Sequence, residues 1–459
     1  MNDRKEWIIL LAVCMGSRLW SAIYYIEDPD SLRFALGVID FDVVSMQPHF
    51  PAYPVFCFLA KLIYELTGRY ALAFAVLGGL STWVVLYCSL LLVQTRITQP
   101  LGMALAFVLF FNPLLWLMSN RYMSDLMGLA VALASCCFVT REAKREIAVG
   151  YFLAGMMLGV RLSIAPLLIP LLGWGLWKAR KRLYLFGAGV AGLLIWLLPL
   201  IAITGLEELV VAAKEQTYGH FGDFGGTVST ESDYARRAVK IIQGLWADGF
   251  GFYWSDRHWL TLCSAVTLVV IVAANWRALG KPSWTVALWW GGMVYLLWIF
   301  SFQNVIHKSR HVLPLVPLLA LIPAAAMARA IVSERKLIQA IALCFALCYG
   351  GVTLHLVNQH KQPSAIAQVY RYLMSMGCEN LYVASVPLIK YYLSSQGLKA
   401  TYMEIENIDD LHRIEIAGKS ARLVVIGNSI LNRTLHSQRT FYHNPYVNRM
   451  WPELDVYEY

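Results

Sequence analysis

Between positions 27 and 54 ionisable residues and prolines crowd into one stretch beside an apolar run. It reads Glu27-Asp28-Pro29-Asp30-Ser31-Leu32-Arg33-Phe34, then Asp40-Phe41-Asp42, then Gln47-Pro48-His49-Phe50-Pro51-Ala52-Tyr53-Pro54. Carboxylates next to lipid are costly to bury unless paired, so such a cluster marks a functional site by default. Asp30 precedes an apolar-periodic run (Leu32, Phe34, Ala35, Leu36), so it also fits a helix N-cap. Asp40 and Asp42 fit solvated or capping positions, and the imidazole of His49 can bond a substrate or fix its own loop. Asp125 opens a later apolar run, where a carboxylate serves chemistry or the helix dipole.

Cations appear where lipid would exclude them. Arg161, bounded by Gly159, Val160 and Leu162 inside an apolar stretch, must find an anion, a water-filled cavity or backbone carbonyls. Arg121 and the segment His307-Lys308-Ser309-Arg310-His311 supply further positive charge, although Lys308 and Arg310 near a helix end can also snorkel. Tyr218 to Gly226 alternates four glycines with aromatics around His220; a flexible segment of this kind can close over a substrate, and its aromatic faces suit sugar rings.

The elements that must position these groups are membrane helices. Of the 459 residues 58% are hydrophobic and 15% charged, and mean hydropathy is +0.54, too apolar for a soluble protein. Apolar spans fall near 6–26, 70–94, 100–118, 122–140, 184–204, 259–275, 283–303, 312–331 and 337–356. A long apolar stretch at 147–177 breaks near Arg161-Leu162-Ser163 and reads as two short helices, which brings the count to about eleven. The first span is long, carries Arg18 and lacks a small-residue cleavage site, so it reads as a retained helix. Most of the nine cysteines lie inside spans, with no disulfide or zinc spacing.

The net charge of +9 resides in short loops between spans, a topological pattern and not a nucleic-acid footprint. Arg4-Lys5, Arg96, Arg141 with Lys144-Arg145, Lys178 with Arg180-Lys181-Arg182, Arg277 with Lys281, and Arg335-Lys336 mark one set of ends as cytoplasmic. That orientation is self-consistent only if Phe50 to Gly68 does not cross, which makes it an interfacial helix. Residues 27–69 and 205–258 then form outer loops of a domain spanning 1–356. From 357 to 459 hydropathy collapses into alternating units: helices at Pro363–Met376, Pro387–Gln396 and Ile408–Ala417, strands at Leu381–Ala384, Ala400–Ile405 and Arg422–Gly427. These predict a small parallel α/β domain, extracytoplasmic in this topology and without a glycine-rich phosphate loop.

Three stretches resemble the GT-C superfamily of integral-membrane glycosyltransferases, within it the protein O-mannosyltransferase and lipid A aminoarabinose transferase group. They are Asp30 with Phe34 four residues on, the proline-rich Gln47 to Pro54, and His307 to Pro314 before a span. Where close relatives have an Asp-Glu pair this chain has Asp30-Ser31, so the second carboxylate's role does not carry over. The resemblance implies an all-α polytopic membrane domain followed by the small α/β domain. It also implies Asp30 as general base with Asp28 next, and a polyprenyl-phosphate sugar as donor.

The expected function is therefore inverting transfer of a sugar to an acceptor hydroxyl on a lipid, glycan or protein, at the outer face of a bacterial inner membrane. His49, Asp125, Arg161, His220, Lys308 and Arg310 are the expected substrate contacts. Carboxylate clusters can take Mg²⁺ or Mn²⁺, but no ligand spacing demands a metal. A transporter of lipid-linked sugars is the main alternative and a polysaccharide polymerase or ligase another; a transporter should show inverted repeats, and none is evident in the sequence.

Overall fold

The computed structural model describes residues 4–223, 225–275, 286–377, 380–405, 422–427, 429 and 433–459. Helix α1 (Arg4–Trp20) runs antiparallel to α4 (Tyr70–Val93): Trp83, midway along α4, donates its indole N–H to the carbonyl of Trp7 near the start of α1, while Gly79, a turn earlier in α4, packs on Met15 further along α1. The buried Arg18 guanidinium lies 4.0 Å over Trp116 and 4.6 Å over Phe110 and donates to the Phe110 carbonyl, a cation held by ring faces and a carbonyl, with no ion-pair partner among the described residues. Helices α5 (Pro100–Phe110) and α6 (Pro113–Asn120) meet at 51°, where Asn112 caps α6 ahead of Pro113. The crossing of α4 and α6 requires Gly78, since a Cβ there would stand 1.7 Å from the Ser119 carbonyl oxygen.

Among the described residues five helical stretches are long and apolar enough to cross a membrane: Tyr70–Val93, Lys144–Lys178, Arg182–Thr204, Ser309–Ile331 and Lys336–Ser375. The α5–α6 pair, bent at 51°, has the length and apolarity of a broken span or a re-entrant loop, and Asp125–Val139, Trp259–Asn275 and Val286–Phe302 are shorter apolar helices of 15 to 17 residues. Lys144–Lys178 is folded back on itself. The Tyr151 hydroxyl donates to the Leu172 carbonyl at 2.6 Å, whereas 21 residues of straight helix would separate them by about 30 Å. The turn is at Arg161, whose extended backbone and the 3₁₀ turn Leu162–Ile164 separate α8 (Lys144–Arg161) from α9 (Ala165–Lys178), the two short helices expected from the sequence.

Helix α2 (Pro29–Ile39) and helix α3 (Pro54–Thr67) lie on the bundle end. Both ends of α3 stay there: Tyr53, just before it, lies under Arg161, and Tyr64 in its last turn stacks on Tyr70 at 4.7 Å. The segment expected to be an interfacial helix is thus helical over Pro54–Thr67. Helix α7 (Asp125–Val139) starts at this same end, and α10 (Arg182–Thr204) leads into α11 (Leu206–Gly222), so Tyr218 to Gly222 is helical where a flexible loop was expected. Helix α12 (Tyr234–Gln243), α13 (Trp259–Asn275), α14 (Val286–Phe302), α15 (Val316–Ile331) and α16 (Lys336–His360) complete the helical part. The basic pair Arg277 and Lys281 and the helix expected at Ile408–Ala417 lie outside the described residues.

The C-terminal unit holds α17 (Ala365–Ser375), α18 (Pro387–Ser395) and a five-stranded sheet of order β2-β1-β3-β5-β4. Strands β1 (Leu381–Ser385), β2 (Thr401–Glu404) and β3 (Arg422–Ile426) are parallel, as the alternating pattern predicts. The expectation of a purely parallel sheet is corrected by β4 (Ser437–Tyr442) and β5 (Glu453–Glu458), which add an antiparallel pair against β3. Leu32 of α2 is buried in this unit's core with Val369, Val383, Tyr392 and Val456, so the sheet domain and the acidic segment share one hydrophobic cluster.

Polar contacts fix that junction. Glu27, 1% exposed, takes Arg121 at 2.9 Å and lies 3.2 Å from His360, while Arg121 also donates to the Val447 carbonyl. Ser364 donates to the Glu27 carbonyl and Tyr392 to that of Ile26. Burial alone would lift the Glu27 carboxyl, but Arg121 and His360 outweigh it and hold it at about 2. The carboxyl is depressed from 4.5, so its stabilising contribution is full above 4.5 and is lost as pH falls through about 2. Glu27→Ala, which leaves Arg121 buried and unpaired, is expected to destabilise the fold by about 3–5 kcal/mol. Limited proteolysis between His360 and Ala365 checks this: the variant is cut at neutral pH, while the wild type resists pepsin until pH approaches the depressed value.

Candidate active site

Pro29 sets the first turn of α2, and the N-cap is Asp28, whose Oδ1 accepts the Ser31 backbone N–H at 2.8 Å. Capping therefore belongs to Asp28 and not to Asp30, correcting that expectation. Asp28 Oδ2 accepts from Asn448 at 3.2 Å, so both oxygens of this carboxyl hold protein groups. Its burial, with Glu27 and Asp30 nearby, pushes the Asp28 carboxyl up.

Asp30, freed from capping, is 5% exposed and faces cations. Its Oδ2 lies 2.6 Å from Lys308 Nζ and 2.7 Å from Arg310 Nη2, and its Oδ1 lies 3.8 Å from Arg33, one helical turn on. Asp125, at the first position of α7, takes Arg161 Nη2 at 2.9 Å through Oδ1, with Arg310 Nε 3.8 Å away. Arg310 thus stands between the two carboxylates. The 3₁₀ turn Ser309–Leu315 presents it, and Arg161 arrives from the reversal between α8 and α9. Gly128 makes the second approach possible: a Cβ there would meet Arg161 Cβ at 2.4 Å.

Four cations, Arg33, Arg161, Lys308 and Arg310, gather around Asp30 and Asp125, and with the neighbouring Asp28 carboxyl counted the cations still outnumber the carboxylates by one. Burial by itself would raise the Asp30 carboxyl, but Lys308 and Arg310 outweigh it and hold it well below the usual carboxylate range. Arg310 Nε, Asp125 Oδ2 and His49 Nδ1 are buried without a hydrogen-bond partner. Arg310 Nε is a donor free for an anion, whereas Asp125 Oδ2 is an acceptor that calls for a donor such as a hydroxyl.

An aromatic wall closes one side. His49 Nε2 bonds the Tyr53 hydroxyl at 3.0 Å, Phe34 packs on Tyr53 at 4.9 Å and meets His49 edge-on at 6.0 Å, and Arg161 lies 5.4 Å from the Tyr53 ring. Burial pushes His49 down to about 3, so its imidazole is neutral and acts as a hydrogen-bonding group. Gln216 of α11 pins the loop from outside, accepting from Phe50 N and donating to the Val43 carbonyl at 2.9 Å.

The structure thus joins Asp30, Asp125, Arg161, Lys308 and Arg310 in one network with His49 beside it. His220 bonds the Phe302 carbonyl at 3.0 Å instead of any atom of the network. Arg121, a candidate anion ligand by sequence, serves Glu27. Asp42 accepts Val44 and Ser45 N–H groups in a turn, and Asp40 closes α2, the solvated and capping fates expected of them. Arg33 and Tyr53 were not singled out. The i, i+3 spacing from Asp30 signals Arg33; nothing local signals Tyr53, which takes the left-handed conformation at φ 49°. Among the described residues no three His, Cys, Asp or Glu side chains converge as a metal site.

Neither a protein-family model nor a curated protein sequence matches the chain. Solved structures do. ArnT from Cupriavidus metallidurans bound to undecaprenyl phosphate superposes with a TM-score of 0.58 at 14% identity, over 99% of this chain and 98% of that one. Its apo state superposes with a TM-score of 0.54 at 13% identity, over the same shares. The chain has the ArnT fold. The GT-C resemblance carried by Asp30, Gln47 to Pro54 and His307 to Pro314 is therefore met at the level of architecture.

If Arg161 is held by Asp125, Asp125→Ala is expected to destabilise by about 3–5 kcal/mol, because it strands a buried guanidinium. Combining it with Arg161→Leu should restore part of that loss. Thermal unfolding in detergent of the two single variants and the double gives the coupling; a value within about 0.5 kcal/mol of zero would contradict the pairing.

Proposed function

We propose that the protein is a glycosyltransferase that moves a sugar from a polyprenyl-phosphate donor to an acceptor hydroxyl, with its site at the extracytoplasmic end of the bundle. The observation that carries this reading is the cluster of four cations, Arg33, Arg161, Lys308 and Arg310, gathered around Asp30 and Asp125 in excess of the carboxylates there. Supporting it are the ArnT fold, the binding of undecaprenyl phosphate by ArnT itself, and the basic loops at the opposite helix ends.

The chemistry follows from charge. A glycosyl phosphodiester carries one negative charge; when its C1–O bond breaks, the electron pair leaves with polyprenyl phosphate, whose charge grows towards two. Lys308, Arg310 and Arg161 supply positive charge for that developing anion: Lys308 and Arg310 turn from Asp30 to the phosphate as the donor binds, so the cations are in place before the bond breaks, which is where fixed electrostatics accelerate a reaction most. The acceptor oxygen forms the new bond to C1 from the opposite face, inverting the centre, and its proton passes to Asp30. Lys308 and Arg310 make Asp30 a weak base while they hold it. As they turn to the incoming phosphate their grip loosens, so donor binding prepares the base. Asp28, with both oxygens engaged, positions the first turn of α2. His49 and Tyr53 bound the sugar on the aromatic side. Charge neutralisation is thereby assigned to side chains, and a divalent cation enters this reading only as a supplement at the carboxylates.

Purified protein in detergent, given radiolabelled polyprenyl-phosphate sugar and a membrane acceptor fraction, should release polyprenyl phosphate as the acceptor gains label. A transporter would leave the donor intact. Asp30→Asn should lower the rate about 10²-fold or more while donor binding persists; a wild-type rate in that variant removes Asp30 as base. Arg310→Ala should weaken donor binding at least tenfold. Transfer should survive a chelator, and loss in chelator with rescue by Mg²⁺ or Mn²⁺ would instead place a cation among the carboxylates.

A further inference from the structure

A cleft of about 310 Å³ opens between residues 24–26, the first turn of α4, and helices α17 and α18. Its volume lies at the lower end of the range for small-ligand clefts, about 300–1,000 Å³. Tyrosines form its walls, and four of them spend their hydroxyl protons on the protein. Tyr122 donates to the Ile23 carbonyl and Tyr25 to that of His360, each at 2.7 Å, Tyr370 to that of Gln396 at 2.9 Å, and Tyr392 to that of Ile26. These bonds lock the rings, leaving flat faces and acceptor oxygens as the lining. Such faces suit the C–H face of a sugar ring, and the oxygens suit its hydroxyls.

The charge of the cleft is one-sided. Arg69 and Arg371 line it and are exposed, and among the described residues neither makes an ion pair. No carboxylate is among the lining residues. Guanidinium groups favour phosphate and carboxylate through paired N–H donors. The cleft also sits where Tyr70 begins a 24-residue apolar helix, the level at which lipid headgroups meet a spanning helix.

We propose that this cleft is a second binding site, separate from the Asp30 network, for an anionic saccharide whose ring packs between the tyrosines while its phosphate or carboxylate bridges Arg69 and Arg371. The ligand chemistry has two sources, a free sugar phosphate or the headgroup of a membrane lipid. The site shares no residue with the Asp30 network and does not depend on the transfer reading.

Glucose 1-phosphate, glucose and inorganic phosphate are titrated against the full-length protein in detergent by calorimetry. Glucose 1-phosphate is expected to bind more tightly than either component alone. The Arg69→Gln, Arg371→Gln double variant should weaken it about tenfold or more, Tyr24→Ala, at an exposed lining ring, should weaken it less, and Arg310→Ala should remove only such binding as the Asp30 network itself contributes. Binding that is lost in Arg310→Ala and kept in the Arg69, Arg371 variant would put the ligand in the other site and overturn the proposal, as would no binding at all. Hydrogen exchange then separates the sources. Slowed exchange at residues 367–371 in phosphatidylinositol nanodiscs, relative to phosphatidylcholine nanodiscs, supports a lipid headgroup; slowing by soluble glucose 1-phosphate alone supports a free ligand; slowing by neither overturns the site.

Discussion

Arg310 is the constraint around which the helical end is arranged. Its guanidinium stands 2.7 Å from Asp30 and 3.8 Å from Asp125, so α2, α7 and the turn Ser309–Leu315 must converge within one side chain's reach. A buried cation of this kind stabilises little once desolvation is counted, but it punishes any arrangement that leaves it unpaired. The consequences are visible in the backbone. Helix α8 reverses at Arg161, so that its cation reaches Asp125, and Gly128 lacks the Cβ that would block it. The fold is specified here less by attraction than by the cost of the alternatives.

The second buried acid works in the opposite sense. Glu27 has its charge matched by Arg121 and its neighbour His360, with no cation in excess, and its partners come from the helix bundle and from the junction with the C-terminal unit. Three residues later, Asp30 sits among more cations than one carboxylate neutralises. Two carboxylates on one short segment thus separate into a structural clamp and an unfinished electrostatic site. What separates them is the balance of charge around each and not their depth, since both are nearly fully buried.

Much of this was legible in the sequence because burial of charge in an apolar chain demands explanation. Asp125 and Arg161 adjoin apolar residues, Asp30, Lys308 and Arg310 lie in short polar stretches that border apolar runs, and all five are in the network. Their pairing was not legible, because positions 30, 125, 161 and 310 are brought together by helix packing that no local pattern encodes. The cap was readable in principle: Pro29 at the first helical position names Asp28 as N-cap, and the pull of the apolar run after Asp30 obscured it. Arg121 misled for a non-local reason, since its carbonyl partner at Val447 lies in the last strand connection. Strand β5, Glu453-Leu454-Asp455-Val456-Tyr457-Glu458, alternates with a clear period of two, but β4 is an exposed edge with weak alternation, so the antiparallel addition could not be paired from pattern alone.

The same cations serve two anions in the transfer reading, and that sharing imposes an order on events. Before a donor arrives, Lys308 and Arg310 are held by Asp30, which keeps a buried positive cluster tolerable and keeps the carboxylate too weakly basic to activate a stray water. A phosphate that enters replaces part of that pairing with its own, so the cations pass from one anion to another without being stranded and the desolvation already incurred in folding is not incurred again. Only then does Asp30 gain basicity, at the moment when a glycosyl carbon stands beside it. A site built from unpaired cations would bind phosphate more tightly but would lack this coupling, and a site built from fully matched pairs, like Glu27 with Arg121, would have no charge to lend.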